Sequence, residues 1–132
     1  MRQQQAPSGA AYDVTCLIVE DSEFDRAYGG MRVEFAPSIE AARKALSGGD
    51  KALILLDNNL PDGLGANFAL ELACDDRHAQ TPVIMVSDWP SPGMWEKAAS
   101  AGVLYVVNKS DFDARYIDAV LREFQARKRW VN

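Results

Sequence analysis

Acidic, hydroxyl and amine side chains follow four separate apolar segments of this 132-residue chain. They stand where each apolar run ends, and they are Glu20, Asp21, Asp57, Ser87, Asn108 and Lys109. If the runs are parallel strands, their carboxyl ends meet at one edge of a sheet, which is where open α/β folds bind ligands. We therefore expect these side chains to share one site.

The grouping of several carboxylates in one crevice has a chemical consequence. Such groups repel one another, so they take up protons or bind a cation. Carboxylate and carbonyl oxygens suit Mg²⁺, which usually keeps open positions for water or phosphate oxygens. Lys109 adds a positive point charge to the same group. Taken alone, Asp57 is more simply explained by a turn and Lys109 by a solvated loop, and only the combination indicates a site.

Five short apolar runs predict the strands that position these residues. The runs cover residues 14–19, 33–35, 52–56, 83–87 and 103–107. Helical stretches lie between them, most clearly after Ser38, which can cap a helix that Gly48 and Gly49 end. This alternation predicts a doubly wound α/β fold with a five-stranded parallel sheet.

The other helices are predicted from their caps and from the spacing of apolar residues. One covers roughly residues 67–74, and the next begins at Pro92 and ends at Gly102. The last opens at Ser110 as its cap and carries one apolar stripe. Only residues 21–33 remain for the first helix, so we expect it to be a stub of about two turns.

Composition narrows the classes of partner. The net charge is −5 and the pI is about 4.8, so a nucleic-acid partner would need a local basic patch, and residues 127–130 are better explained as a helix end. Cys16 and Cys74 have neither metal-ligand spacing nor a disulfide framework, which predicts reduced thiols. No apolar run approaches the length of a membrane span. We expect a cytoplasmic protein that binds neither nucleic acid nor membrane.

The order of an acid pair, an acid, a hydroxyl and an amine at these strand ends resembles the receiver domain of bacterial response regulators, the CheY-like family. The matching segments are LIVED, LLDNNLPDGLG, VIMVS and AGVLYVVNK, and the similarity runs from Val14 to Phe124. It implies a flavodoxin-like sheet with strand order 2-1-3-4-5. The expected division of the chain is a flexible leader (1–12), the receiver domain (13–129) and a short tail (130–132).

The resemblance also assigns roles to individual residues. It implies that Asp57 is the phosphoacceptor, that Lys109 binds the phosphoryl group and that Ser87 is the switch hydroxyl. The residues that would hold Mg²⁺ are Glu20, Asp21, Asp57 and, through its backbone carbonyl, Asn59.

The favoured function is a stand-alone receiver that accepts a phosphoryl group from a histidine kinase or a histidine phosphotransfer protein. It would signal to a downstream protein target through a changed surface, and it could form a homodimer. Such a protein is not an enzyme beyond its own phosphorylation and dephosphorylation. One alternative is a degenerate receiver that binds a partner without phosphorylation. Another is a phosphatase of the haloacid-dehalogenase group, but this group needs a second Asp where Asn59 stands and a cap domain for which there is no room.

Three positions differ from the usual receiver pattern, and the short first helix is a fourth departure. Val106 stands where an aromatic switch residue is usual, and Tyr105 beside it should point to the opposite face. Ser110 replaces a proline, so we expect no cis peptide there. Asp88 adds a negative charge near the phosphoryl site. A further feature, the group Trp89, Met94 and Trp95, suggests a binding face, although core packing explains at least one of its members equally well.

Overall fold

The computed structural model describes residues 15–19 and 32–131 of the chain. The predicted leader, the predicted first helix and the acids Glu20 and Asp21 lie outside these residues. The division of the chain at residues 12 and 129 therefore stays a prediction.

The described residues form a five-stranded parallel sheet and a small antiparallel hairpin. The strands are β1 (Thr15–Val19), β2 (Arg32–Ala36), β3 (Leu53–Asp57), β4 (Asn59–Leu60), β5 (Gly63–Leu64), β6 (Val83–Ser87) and β7 (Tyr105–Asn108). The large sheet has the order β2-β1-β3-β6-β7, and every neighbouring pair in it is parallel. Because β4 and β5 form the separate hairpin, this order is the predicted 2-1-3-4-5, and the doubly wound α/β prediction is confirmed.

The described residues also form four α-helices and one short 3₁₀ helix. They are α1 (Ile39–Ser47), α2 (Gly65–Ala73), α3 (Pro92–Ser100), the 3₁₀ helix (Lys109–Asp111) and α4 (Ala114–Val131). Ser38 caps α1 as predicted, and α3 begins at the predicted residue Pro92, with Ser91 as its cap. Gly102 follows α3 with a φ of 73°, a conformation that favours glycine. Among the described residues, no helix is both long enough and apolar enough to cross a membrane.

The start of the last helix differs from the prediction. Ser110 does not cap it, because the side chain of Asn108 accepts a hydrogen bond from the Ser110 backbone N–H at 3.0 Å and starts the 3₁₀ helix instead. The helix α4 begins three residues later, after Asp113, whose carboxylate accepts from the Arg115 N–H at 2.8 Å. No cis peptide bond occurs in the described part of the chain, as expected at Ser110.

Two apolar clusters cover the two faces of the sheet. One joins the strands to α1, α2 and α3 through residues such as Leu46, Phe68 and Met94. The other joins them to α4 through residues that include Ile117 and Val120. All five residues of β3 and of β6 are buried, which is the pattern of strands inside a parallel sheet. Both strands are therefore held firmly where they reach the carboxyl edge.

The predicted binding face divides into two kinds of residue. Trp89 is 88% exposed and Trp95 is 50% exposed, whereas Met94 is buried in the core. Core packing therefore explains Met94, and of the three residues predicted to form the face only Trp89 and Trp95 present apolar area on the surface.

Candidate functional site

Asp57 is the last residue of β3, and its carboxyl group is 3% exposed. One carboxylate oxygen, Oδ1, accepts a hydrogen bond from the Asn59 backbone N–H at 3.2 Å. The other, Oδ2, lies 3.1 Å from Nζ of Lys109. A carboxylate this deeply buried needs such partners, because the loss of hydration is otherwise expensive. The acid and the amine that the sequence places at two strand ends therefore meet in one ion pair.

Ser87 reaches the same edge from the neighbouring strand. It is the last residue of β6 and is 1% exposed. In the register of the sheet, Asp57 is opposite Val86, and Ser87 is opposite Asn108, the residue before Lys109. The hydroxyl therefore belongs to the row of strand ends that carries Asp57 and Lys109.

The loop after Asp57 brings α2 back against the end of β3. Its seven residues, 58–64, contain the hairpin of β4 and β5 that the sequence reading did not predict. The Gly65 N–H donates to the Asn58 carbonyl at 2.8 Å, and Asn58 Oδ1 accepts from the Ala66 N–H at 2.9 Å. The loop therefore closes tightly on itself and places Asn59 next to the carboxylate of Asp57.

Asp62 is a second loop residue with a structural role, and this role was not predicted from the sequence. Its two carboxylate oxygens accept hydrogen bonds from the backbone N–H groups of Ile39 at 2.9 Å and Glu40 at 3.0 Å, in the first turn of α1. These bonds hold the pKa of the Asp62 carboxyl below its ordinary value of 3.8. An acidic residue in a Pro-Asp-Gly turn was a signal for a local turn only, because the helix it caps lies 22 residues earlier in the chain.

The oxygen atoms at this site are the kind of ligand that a hard divalent cation prefers. Asp57 supplies carboxylate oxygens, and Asn59 lies beside it. Within the described residues, no group of three His, Cys, Asp or Glu side chains could hold a metal ion by itself. The other two acids expected to hold Mg²⁺, Glu20 and Asp21, lie outside these residues. β1 ends at Val19, and the paired residues Val19 and Leu56 place its end beside that of β3.

The positions that differ from the usual receiver pattern lie near this edge. Tyr105 and Val106 do face opposite sides of the sheet, because Tyr105 packs edge-on against Tyr116 of α4 and Val106 packs into the cluster on the other face. Asp88 is exposed, and its backbone carbonyl accepts from Nδ2 of Asn108 at 3.0 Å. This bond ties the loop after β6 to the end of β7.

Solved structures share this fold. A CheY-like response regulator receiver domain protein from Methanospirillum hungatei JF-1 has a TM-score of 0.74 and 22% identity, covering 86% of this chain and 98% of that chain. The chemotaxis protein CheY4 of Vibrio cholerae has a TM-score of 0.68 and 20% identity, covering 84% and 98% of the two chains. The Mn²⁺-bound form of the response regulator Rcp1 has a TM-score of 0.64 and 19% identity, covering 86% and 90%. At these identities the likeness shows the fold alone.

The sequence itself gives the family. A comparison with curated proteins found no match. A family model described as the response regulator receiver domain matches residues 17–122, which include Asp57, Ser87 and Lys109. Since this match spans most of the 132 residues, the chain belongs to the response regulator receiver domain family.

Proposed function

We propose that this receiver domain accepts a phosphoryl group on Asp57 from a histidine kinase or a histidine phosphotransfer protein. The signal then passes to a downstream protein through a change in the surface. The observation that supports this most directly is the buried carboxylate of Asp57 with Nζ of Lys109 at 3.1 Å from Oδ2. An ion pair that only stabilises the fold could lie anywhere in the sheet. A nucleophile must instead be accessible to the phosphoryl donor, as it is at the carboxyl edge.

The transfer is a displacement at phosphorus. A carboxylate oxygen of Asp57 forms a bond to phosphorus, and the bond from phosphorus to the donor breaks. The electron pair of that bond leaves with an imidazole nitrogen of a phosphohistidine, or with the acyl oxygen of acetyl phosphate. Lys109 already forms an ion pair with Asp57. During the transfer the same ammonium group can stabilise the negative charge on the phosphoryl oxygens.

Mg²⁺ is the cofactor that fits this site. When bound, it neutralises charge on the phosphoryl oxygens. The residues that would hold it are Glu20, Asp21, Asp57 and the backbone carbonyl of Asn59. The Mn²⁺-bound form of Rcp1, a protein of the same fold, supports a divalent cation as the cofactor. No other substrate is involved in this proposal, so the domain catalyses only its own phosphorylation and dephosphorylation.

Intact-mass measurement after incubation with acetyl phosphate tests the proposal. We expect the mass of one added phosphoryl group when MgCl₂ is present and none when a chelator removes the metal. The Asp57→Asn variant should gain nothing, while Asp50→Asn, an exposed acid in the loop before β3, should behave as the wild type.

Two results would count against the proposal. Full modification of Asp57→Asn would place the acceptor elsewhere. No modification of the wild type by acetyl phosphate or by any histidine kinase would favour a degenerate receiver, the alternative that Val106 and Asp88 support.

A further inference from the structure

The loop of residues 58–64 is fastened to two different helices. At its start, Asn58 Oδ1 accepts from the Ala66 N–H and so caps α2, whose own N-cap residue, Leu64, has no side-chain hydrogen bond. Toward its end, the carboxylate of Asp62 accepts from the Ile39 and Glu40 N–H groups of α1. The loop therefore supplies caps to both helices and is held at both of its ends.

Asn59 lies between these two fastenings. Its N–H donates to Oδ1 of Asp57, so its backbone position, together with Lys109 at Oδ2, orients that carboxylate. The hairpin that carries Asn59 has two residues in each strand, too few to be stable without outside contacts. The tip of the hairpin rests on α1, where a Cβ added to Gly63 would lie 3.0 Å from Cδ1 of Ile39. The position of Asn59 therefore depends on contacts with α1.

The helix α1 does not need Asp62 to begin. Ser38 Oγ already accepts from the Ala41 N–H at 3.1 Å, and the Ser38 carbonyl accepts from the Ala42 N–H at 3.0 Å. Asp62 takes the two N–H groups that remain in the first turn. A carboxylate bound by two N–H donors at the positive end of a helix dipole is firmly held. The two hydrogen bonds of Asp62 are therefore not needed to start α1, and their main effect is to hold the loop in place.

We propose that Asp62 is a positioning residue that holds the hairpin on α1 and thereby fixes the backbone of Asn59 at the carboxylate of Asp57. This inference rests on the proposed function, in which Asn59 helps to hold Mg²⁺. Asp62 touches neither the reacting atoms nor the metal. Its effect should be seen in the affinity for Mg²⁺ and in the protection of the Asn59 amide.

Two variants and one control separate positioning from plain helix capping. Asp62→Ala removes both hydrogen bonds, while Asp62→Asn keeps one oxygen acceptor and replaces the other with an NH₂ group that cannot accept. Ser38→Ala removes a cap from the same helix without touching the loop. A role limited to the stability of α1 would make Asp62→Ala and Ser38→Ala behave alike.

The experiment is a titration of ¹⁵N-labelled protein with MgCl₂, together with amide hydrogen exchange at Asn59. We expect Asp62→Ala to raise the Mg²⁺ dissociation constant by about tenfold, the low end for outer-shell partners of metal sites. Asp62→Asn should fall between it and the wild type. In Ser38→Ala the constant should stay close to that of the wild type, because the bonds from Asp62 to the Ile39 and Glu40 N–H groups remain. The Asn59 amide should exchange faster in Asp62→Ala, measured against the Leu55 amide of β3 as a report of global unfolding.

The outcomes distinguish this inference from the proposed function. Equal changes in Asp62→Ala and Ser38→Ala, or unchanged Asn59 exchange in Asp62→Ala, would overturn the positioning role. If the wild type binds no Mg²⁺, the metal part of the proposed function fails. The exchange of Asn59 still decides the role of Asp62 in that case.

Discussion

The carbonyl oxygen of Asp57 and the backbone of Gly65 approach so closely that a Cβ at residue 65 would lie 2.1 Å from that oxygen. Real Cβ atoms do not come this near, and the atom it would meet is backbone, which cannot move aside as a flexible side chain does. The start of α2 therefore rests directly on the residue proposed to carry the phosphoryl group. Only glycine permits this contact.

Gly65→Ala should destabilise the domain and displace Asp57. We expect a loss of about 1–3 kcal/mol in the free energy of unfolding, the usual cost of overpacking. Urea unfolding measures this loss, and the amide shifts of Asp57 and Asn58 report the displacement. Gly93→Ala is the matched control, because nothing lies within 4 Å of a Cβ at that position in α3. It should be neutral or up to about 1 kcal/mol more stable, and a Gly65→Ala protein as stable as this control would contradict the prediction.

The ion pair between α1 and α2 predicts a dependence of stability on pH. Glu71 accepts hydrogen bonds from Nε and Nη2 of Arg43, both at 2.8 Å, and these hold the pKa of Glu71 below its ordinary value of 4.5. A pKa that is lower in the folded state stabilises the fold above 4.5, and this contribution is lost as the pH falls through the folded-state pKa. Glu71→Gln should therefore be less stable than the wild type near neutral pH, and the difference should disappear in acid.

Urea unfolding of both proteins over a series of pH values measures that difference. Glu96→Gln, at an exposed position of α3, is the matched control for the substitution itself. A difference between Glu71→Gln and the wild type that stays constant down to strongly acidic pH would show that the charge of Glu71 contributes nothing. The exposure of this pair, with about half of each side chain in water, makes the effect small.

The parts of the fold that depend on local pattern were predictable from the sequence. The apolar runs that end in Asp57 and Ser87 indicated the buried strands and their shared edge, because fully buried strands are apolar throughout and carry polar residues only at their ends. The strand order came instead from the resemblance to receiver domains. The Ser38 cap and the Pro92 start of α3 were predictable because each residue is adjacent to or within the first turn of its helix.

The parts that depend on contacts distant in the chain were not predictable. Asp62 caps a helix whose first turn lies 22 residues or more before it, so no local spacing could reveal the bond. Ser110 was wrongly predicted to cap the last helix, because Asn108 caps a 3₁₀ helix that contains Ser110, and α4 begins only after Asp113. The two-residue strands of the hairpin are too short to leave a pattern.

The two cysteines should differ sharply in reactivity. Cys16 lies on β1 with no exposed area, and burial raises the pKa of its thiol to about 12, whereas Cys74 after α2 is exposed. The thiolate is the reactive form, so a disulfide reagent at mildly alkaline pH should label one thiol in the folded protein and two in denaturant. Cys74→Ser should abolish the labelling of the folded protein. Rapid labelling of that variant without denaturant would contradict the burial of Cys16.

The last prediction separates the formation of the acyl phosphate from the response to it. Ser87 is buried at the end of β6, where its hydroxyl can donate to a phosphoryl oxygen on Asp57. That bond would draw the following loop inward and carry the exposed Trp89 with it. Ser87→Ala should therefore still be phosphorylated on Asp57 but should lose most of the change around Trp89. The measurement compares amide shifts with and without beryllofluoride, a stable mimic of the phosphoryl group.

Asp88 provides the opposite test in the same loop. Its carboxylate should oppose the inward position by repelling the phosphoryl group. Asp88→Ala removes that charge but keeps the backbone carbonyl that accepts from Asn108 at 3.0 Å, so the tie to β7 survives and only the repulsion changes. We expect a larger change around Trp89 in this variant than in the wild type. A full wild-type change in Ser87→Ala, or an unaltered one in Asp88→Ala, would show that the response to phosphorylation does not run through this loop.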